Sequence, residues 1–411
     1  MAPGSRISDK RAVVIGGSLG GLLAANLLHR TGWDVELYER VAQPLTGRGA
    51  GIVTHPELFR ALERAGVVVD DTIGVEVQGR VTLGPQGEVV GERPLRQILT
   101  SWGRLFALLA EIFPVDRYRP GFALERIEQS SSGVTAVFAN GARASGDLLV
   151  GADGIRSTVR AQFLPAVKPA YAGYVAWRGL VDETSLSVAT HEAIFEKFAF
   201  CLPPREQMLG YPVAGPHDST RPGERRYNFV WYRPVDDQDE LRGLCTDAAG
   251  RLHDVSIPPP LIRPEVVAGV RAAAKQLLAP QFAEIVHKTE RPFFQPIFDV
   301  ESPQLVFDRV VLLGDAAFVA RPHCGMGVTK AGSDAVALAD ALQDAGADLS
   351  SALAAYERQR VAAGNIIIAH ARHLGAYMQA QLKSAQEREM AERYRTPEAV
   401  MRETAVPPVF G

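Results

Sequence analysis

Near the amino terminus a strand, a glycine-rich loop and a helix follow one another without interruption, and this fixes how the chain begins to fold. Arg11-Ala-Val-Val-Ile15 is a β-rich run without glycine, and Gly16-Gly17-Ser18-Leu19-Gly20-Gly21 comes directly after it. Leu22 to Gly32 then has helical periodicity, and Val35-Glu36-Leu37-Tyr38 reads as a second strand ending at Glu39. In the G-x-G-x-x-G frame the positions are Gly16, Ser18 and Gly21. Serine at the middle position is small enough to let a pyrophosphate come close. An acidic residue about 20 positions after such a loop binds ribose hydroxyls, and Glu39 stands there. The motif alone is weak evidence. Set between a strand and a helix, with its acidic partner in place, it predicts a dinucleotide site.

Two later segments have the same grammar. In Asp147 to Ser157 a short apolar strand runs into Gly151 and Asp153-Gly154, with Arg156 and Arg160 on the helix expected next. In Arg309 to Ala335, Val310 to Leu313 reads as a buried strand, followed by Gly314-Asp315 and a loop through Pro322 and His323. Gly325-Met326-Gly327 then opens a helical pattern, and helix starts leave backbone N–H groups free to face an electron-rich group. A turn explains Asp-Gly by itself. Three glycine/aspartate strand ends are less easily dismissed, because ligands of open α/β sheets gather at the carboxyl ends of strands.

The middle of the chain reads differently. From Tyr171 to Gln295 there are short strand-like runs (Ala193–Leu202, Met208–Val213, Tyr227–Tyr232) with breaks rich in Pro, Gly and Asp, which predict a mostly antiparallel sheet. That sheet interrupts the cofactor domain. Residues 1–75, 100–170 and 296–372 are expected to build the discontinuous dinucleotide-cofactor domain, 76–99 and 171–295 the inserted sheet, and 373–411 a carboxy-terminal helix and tail. Residues Ala331–Gln379 read as strongly helical, and Arg395–Gly411 as irregular.

A length of 411 residues allows a large core and two intertwined domains. A net charge of −3 argues against nucleic acid as partner, and no apolar run is long enough to span a membrane. The start MAPGSRISDKR has no secretory apolar region, and three widely spaced cysteines fit a reducing compartment. A cytoplasmic enzyme is expected. No CxxC, HExxH or other metal spacing occurs, so no metal is expected. Nothing fixes the oligomeric state, and a homodimer stays open.

Taken together, the three motifs resemble the class A flavoprotein aromatic hydroxylases, the para-hydroxybenzoate hydroxylase fold group. YERVAQPLTGRGAGIV (38–53), YAGYVAWRG (171–179), Tyr211-Pro212, NFVWY (228–232) and GDAAFVARPH (314–323) are similar to the subgroup of 2,6-dihydroxypyridine 3-monooxygenase. That subgroup acts on hydroxylated N-heterocycles. The resemblance implies an α/β fold with a Rossmann-like FAD-binding domain, an inserted mostly antiparallel substrate sheet and carboxy-terminal helices. It implies non-covalent FAD, NADH or NADPH as transient reductant, and O2 as co-substrate. Oxygen would reach the ring through a flavin C4a-hydroperoxide. The FAD-binding set it implies is Gly16, Ser18, Leu19, Gly20, Gly21, Glu39, Arg40, Arg48, Gly51, Trp102, Arg104, Asp153, Gly314, Asp315, Pro322, Gly325, Met326, Gly327 and Val328. Asp315 would take the ribityl chain, and the loop after Pro322 would lie against the isoalloxazine.

The chain departs from the wider group at several positions. Phe318 stands where most members have His, Met326 where they have Gln, and Trp102 where an Arg contacts FAD, with Arg104 as its expected substitute.

For the substrate, the aromatic residues Phe198, Phe200, Phe229 and Trp231, with His55, are the candidates. Catalysis is assigned to His323 and Tyr211. An imidazole with an unperturbed pKa of about 6.5 suits proton exchange near neutrality, and a ring hydroxyl must lose its proton for the ring to attack an electrophilic oxygen. The alternative for His323 is a structural hydrogen bond to its own loop. Other readings of the whole chain are a urate or methylurate monooxygenase, a flavin dehydrogenase or oxidase, and a non-catalytic flavin-binding redox module.

Overall fold

The computed structural model describes residues 10–45, 51–235, 238–253, 256–346, 348–379 and 384–409. Its first sheet has six strands in the spatial order Val306–Phe307, Val310–Leu312, Leu148–Gly151, Arg11–Ile15, Asp34–Glu39, Tyr118–Pro120. All neighbours are parallel except the Val306–Phe307 edge. Parallel strands covered on both faces are apolar throughout, and Ala12–Ile15, Leu148–Val150 and Val310–Leu312 are all buried. Ile15 is in register with Gly151, and Gly151 with Leu312. The three motif-bearing strands therefore end level with one another, and their loops open on the same edge.

The second sheet has nine strands, in the order Phe318–Val319, Phe293–Glu301, Ala170–Asp182, Arg226–Pro234, Gln207–Val213, Phe198–Cys201, Val75–Leu83, Val89–Ser101, Gly51–Val53. Pairing is antiparallel except between Phe198–Cys201 and Val75–Leu83. Gly51–Val53 and Phe318–Val319 belong by sequence to the cofactor part, yet they hydrogen-bond to this sheet and stitch the two halves together. Of the expected strand Ala193–Leu202, only Phe198–Cys201 is extended; His191–Phe195 is a short helical turn. A third, three-stranded antiparallel sheet covers Leu124–Gln129, Val134–Phe138 and Arg143–Gly146.

Alternation gives the large sheet two unlike faces. Tyr227, Phe229 and Trp231 point to one side, with Val175 and Trp177, into a core shared with the helices Pro264–Leu277 and Pro280–Lys288. Val230, Tyr232, Tyr174 and Ala176 point to the other side, into a core shared with the carboxy-terminal helices.

The helices after the third motif are Gly327–Asp344 and Leu349–Gly375. The end of the chain holds more helix than expected, since Pro397–Glu403 within Arg395–Gly411 is helical. Ser384 and Glu387 form a reciprocal cap on Ala385–Tyr394, and Thr396 caps Pro397–Glu403. No helix among the described residues is long and apolar enough to cross a membrane.

Phe318 is buried and lies against the long helix, where a Cβ at Gly364 would come within 2.5 Å of its ring. The glycine leaves room for the ring. Gly364→Ala is therefore expected to cost about 1–3 kcal/mol of stability through overpacking, measured by urea denaturation. Adding Phe318→Leu should recover part of the loss; an unchanged midpoint for Gly364→Ala would refute this packing.

Candidate active site

The first loop is folded hard against the second. Gly16 has φ 109°, and a Cβ there would lie 2.3 Å from the Ala152 carbonyl oxygen. A Cβ on Gly21 would lie 1.8 Å from the carbonyl oxygen of Gly16. The Glu39 carboxylate accepts from the N–H groups of Gly17 (2.8 Å) and Val41 (2.9 Å), which ties the end of its strand to the loop. Ser18 begins the helix Leu19–Arg30 without a side-chain cap, and no acidic residue occupies its first turn. Its orphan N–H groups are open to an anion.

The second loop supports the third. Asp153 accepts from Ser157 Oγ (2.5 Å) and from the N–H groups of Thr158 (2.7 Å) and Val159 (3.2 Å). Arg160, on that helix, donates to the Ala316 carbonyl at 2.9 Å, and so joins the Asp-Gly and Gly-Asp segments directly.

In the third loop Gly314 has φ 61°, and its N–H donates to Asp334 Oδ2 at 2.9 Å. Asp334 also accepts from Arg360 Nε (2.6 Å) and lies 3.6 Å from the buried Lys330 Nζ. The Asp315 carboxylate has no protein hydrogen-bond partner among the described residues and opens into the cleft. Enclosure there raises its pKa above the ordinary carboxylate value; Lys330 opposes the shift and Asp334 adds to it. The helix Gly327–Asp344 likewise starts without a side-chain cap or an early acidic residue.

These loops line one cavity of about 350 Å³ together with the cavity-facing side of the large sheet. Ser18, Leu19, Gly20, Gly51, Trp102, Ala152, Gly154, Gly314, Asp315, Pro322, Gly325, Gly327 and Val328 belong to it. Two uncapped helix starts, backbone cradles that a Cβ would fill and an unpartnered acceptor carboxylate suit a dinucleotide carrying a polyhydroxyl chain. The residues fit FAD.

The sheet side of the cavity is lined by Phe198, Leu209, Tyr211, Val230, Tyr232 and Arg178, with His323 from the third loop. His323 is buried, and its Nε2 lies 2.6 Å from the Tyr174 hydroxyl while Nδ1 has no partner. Burial, then the cations Arg321 and Arg178, pulls its pKa well below 6.5. The pair sits against the end of the long helix, where a Cβ on Gly375 would come within 2.6 Å of the Tyr174 hydroxyl and 2.9 Å of His323. Burial raises the Tyr211 phenol above its ordinary pKa and pushes Tyr232 up to about 12, so both stay protonated hydrogen-bond donors.

Several expected site residues lie elsewhere. Phe229 and Trp231 do not reach the cavity, because the register of Arg226–Pro234 turns them to the opposite face; Val230 and Tyr232 take their place. Phe200 faces the right way but packs behind Phe198, with ring centroids 5.0 Å apart. His55 is buried behind the third loop, its Nε2 3.2 Å from the Cys324 carbonyl. Asp153 caps a helix instead of facing a ligand. Met326 is buried in the core between its two glycines. Arg104 does not replace the missing arginine: it turns away to Thr72 (2.7 Å) and Asp218 (3.5 Å). Trp102 stacks on Phe106 at 5.0 Å and does line the cavity. Arg40 is exposed outside the cavity, and Arg48 lies outside the described residues.

Arg178 was not expected at the site. It follows Tyr174 and Ala176 on the cavity-facing side of its strand, opposite Val230, and forms no ion pair or hydrogen bond among the described residues. The sequence signal was present: a single cation inside the buried run YVAWRGLV. Thr404 and Ala405 also line the cavity, and nothing in the sequence pointed to them.

The fold and this cavity define an FAD-dependent aromatic hydroxylase, and the chain belongs to that family. It is 32% identical over 90% of its length to 2,6-dihydroxypyridine 3-monooxygenase of Paenarthrobacter nicotinovorans, covering 91% of that protein. It is 30% identical to the FAD-dependent urate hydroxylase of Klebsiella pneumoniae, over 85% of each chain. Residues 171–299 match the family described as FAD binding domain-like. Among solved structures, 2,6-dihydroxypyridine-3-hydroxylase from Arthrobacter nicotinovorans superposes with a TM-score of 0.85 at 31% identity, over 92% of this chain and 96% of that one. The enzyme is an FAD-dependent monooxygenase of small aromatic or heterocyclic molecules, and uses O2 and a reduced nicotinamide.

Two outcomes follow from this geometry. Asp315→Ala removes the one open carboxylate among the strand-end loops, and should yield folded protein with little bound FAD, read from the ratio of flavin absorbance to protein. Full flavin content would refute the ribityl role. The second concerns pH. Burial holds His323 and His55 below the unfolded imidazole pKa of about 6.5. The unfolded chain therefore takes up these protons first as pH falls. Stability from both groups is complete above about pH 6.5 and is lost as pH drops below it. The urea midpoint of the apoprotein should fall more steeply between pH 7 and pH 5 in the parent than in His323→Gln; equal slopes would show that His323 does not contribute.

Proposed function

We propose that this cytoplasmic enzyme hydroxylates an electron-rich, hydroxylated N-heterocycle of the hydroxypyridine type. One observation carries the reading: the guanidinium of Arg178, without a protein partner among the described residues, lines a cavity wall made otherwise of aromatic and aliphatic side chains. A cation left unpaired in such a place suits a flat ring bearing an ionisable oxygen. The named activity of the 2,6-dihydroxypyridine relative supports the same class. Three free, buried cysteines support a reducing compartment.

FAD, when bound, accepts hydride from NAD(P)H and supplies the activated oxygen; the remaining work falls to the chain. Arg178 would hold the ring oxygen as its anion and so lower the cost of deprotonating it. The weakened base His323 would take that proton at Nδ1, provided Nε2–H donates to the Tyr174 oxygen. Tyr211 and Tyr232, held protonated, would donate to other ring oxygens. Phe198, Leu209 and Val230 would press on the ring and keep water out, which protects a reactive oxygen species from loss as peroxide.

A panel of 2,6-dihydroxypyridine, 6-hydroxynicotinate, 3-hydroxybenzoate and urate tests the reading through substrate-stimulated NAD(P)H oxidation. A hydroxypyridine should stimulate most, with oxygen incorporated into the product. Arg178→Met should keep its FAD but raise the KM for that substrate about 10–100-fold, the size expected when a charge-assisted hydrogen bond of about 1.5–3 kcal/mol is lost. Preference for urate would overturn the substrate class, and an unchanged KM would overturn the role of Arg178.

A further inference from the structure

Arg80, on the strand Val75–Leu83, is 1% exposed and has no carboxylate partner among the described residues. Its guanidinium donates to the carbonyls of Met401 (2.9 Å) and Thr404 (2.5 Å) and to Gln97 Oε1 (2.8 Å). It also lies over the rings of Phe198 (4.8 Å) and Phe200 (5.9 Å). Gln97 continues the pattern by donating from Nε2 to the Ala405 carbonyl at 2.9 Å. Burying a cation without an opposite charge is costly unless its donors are well used. Here Nη1 is used twice on the end of the chain and Nη2 on Gln97, while Nε has no partner among the described residues.

That end reaches the cavity. Thr404 and Ala405 form part of its wall beside Phe198 and His323. The Ala405 N–H donates to the His323 carbonyl at 2.6 Å, and Ala405 is held at φ 58°, a strained conformation for a residue with a side chain. Val400 and Met401 already anchor the segment by apolar burial. The polar contacts add direction, aiming one strained residue at the backbone of His323.

We propose that Arg80 is a positioning residue. Acting through the hook Met401–Ala405, it sets where His323 stands and how much room the cavity leaves beside it, so the carboxy-terminal segment helps select the size of the ring. The proposal rests on the reading that this cavity holds the substrate ring.

FAD-loaded, full-length Arg80→Met, Arg80→Lys and Ala405→Gly proteins test it with two measurements. The first is backbone hydrogen exchange at Ala405 and around His323. The second is the ratio of dissociation constants for 2,6-dihydroxypyridine and urate, read from perturbation of the flavin spectrum. Arg80→Met should retain flavin, exchange at least about tenfold faster at both places, and shift the ratio at least about tenfold towards the larger urate. Arg80→Lys should recover part of both changes. Ala405→Gly relieves the strained backbone, so its melting temperature should hold or rise while the ratio still shifts; a purely structural hook would not separate the two. Unchanged exchange and an unchanged ratio in Arg80→Met would overturn the proposal, and if that variant does not fold, Ala405→Gly decides alone. If the parent binds neither probe, the substrate class fails, and the exchange measurement still decides the role of Arg80.

Discussion

The close approach of Gly16 to Ala152 is the contact on which the rest of the site depends. It is possible only because Arg11–Ile15, Leu148–Gly151 and Val310–Leu312 run parallel and end level. Each strand then delivers its loop to the same edge. Loops lie on the surface and tolerate change, but these cannot move independently. The first is wedged against the second at Ala152, and the second is bonded to the third through Arg160. A stagger of one residue among the strands would separate the uncapped helix of the first loop from the open carboxylate of the third.

The large sheet does a different job with its two faces. One is a plain core of Tyr227, Phe229 and Trp231 under two helices. The other must be apolar enough to exclude water, yet it carries the cation Arg178 and the Tyr174–His323 pair. No carboxylate is among the sheet residues that line the cavity, and Asp299 on the neighbouring strand is held by Arg321 and Arg372. Arg178 is thereby left without a protein partner among the described residues. A few polar groups on an otherwise apolar surface give orientation without flooding the site.

Most of the cofactor half could be read in the sequence because its information is local. A strand, a glycine with positive φ and an uncapped helix occur within about a dozen residues, and sterics permit few alternatives there. The substrate half was legible only in part. Alternation separates Phe229 and Trp231 from Val230 and Tyr232, but does not say which set faces the cavity; that depends on which helices cover the sheet, a long-range matter. Asp153 was misread because a cap and a ligand contact call for the same residue type. Arg395–Gly411 was read as irregular although Thr396-Pro397 is an ordinary helix start, and its contact with Arg80, far away in sequence, could not be read locally. Arg178 could have been found from the misfit of a charge in an apolar strand.

The open carboxylate of Asp315 has a consequence for the life of the protein. Lys330, Arg360, Asp334 and Asp315 form a compact group of two cations and two anions, and among the described residues neither the Asp315 carboxylate nor Lys330 Nζ has a hydrogen-bonding partner. Binding that satisfies this group acts on the folding equilibrium as well as on catalysis, since whatever binds only the native state draws the chain towards it. A flavin that met Asp315 there would be the last piece of the protein's interior. A chain made while flavin is scarce would carry an unfinished core, and proteases, more than slow turnover, would set how much enzyme the cell keeps.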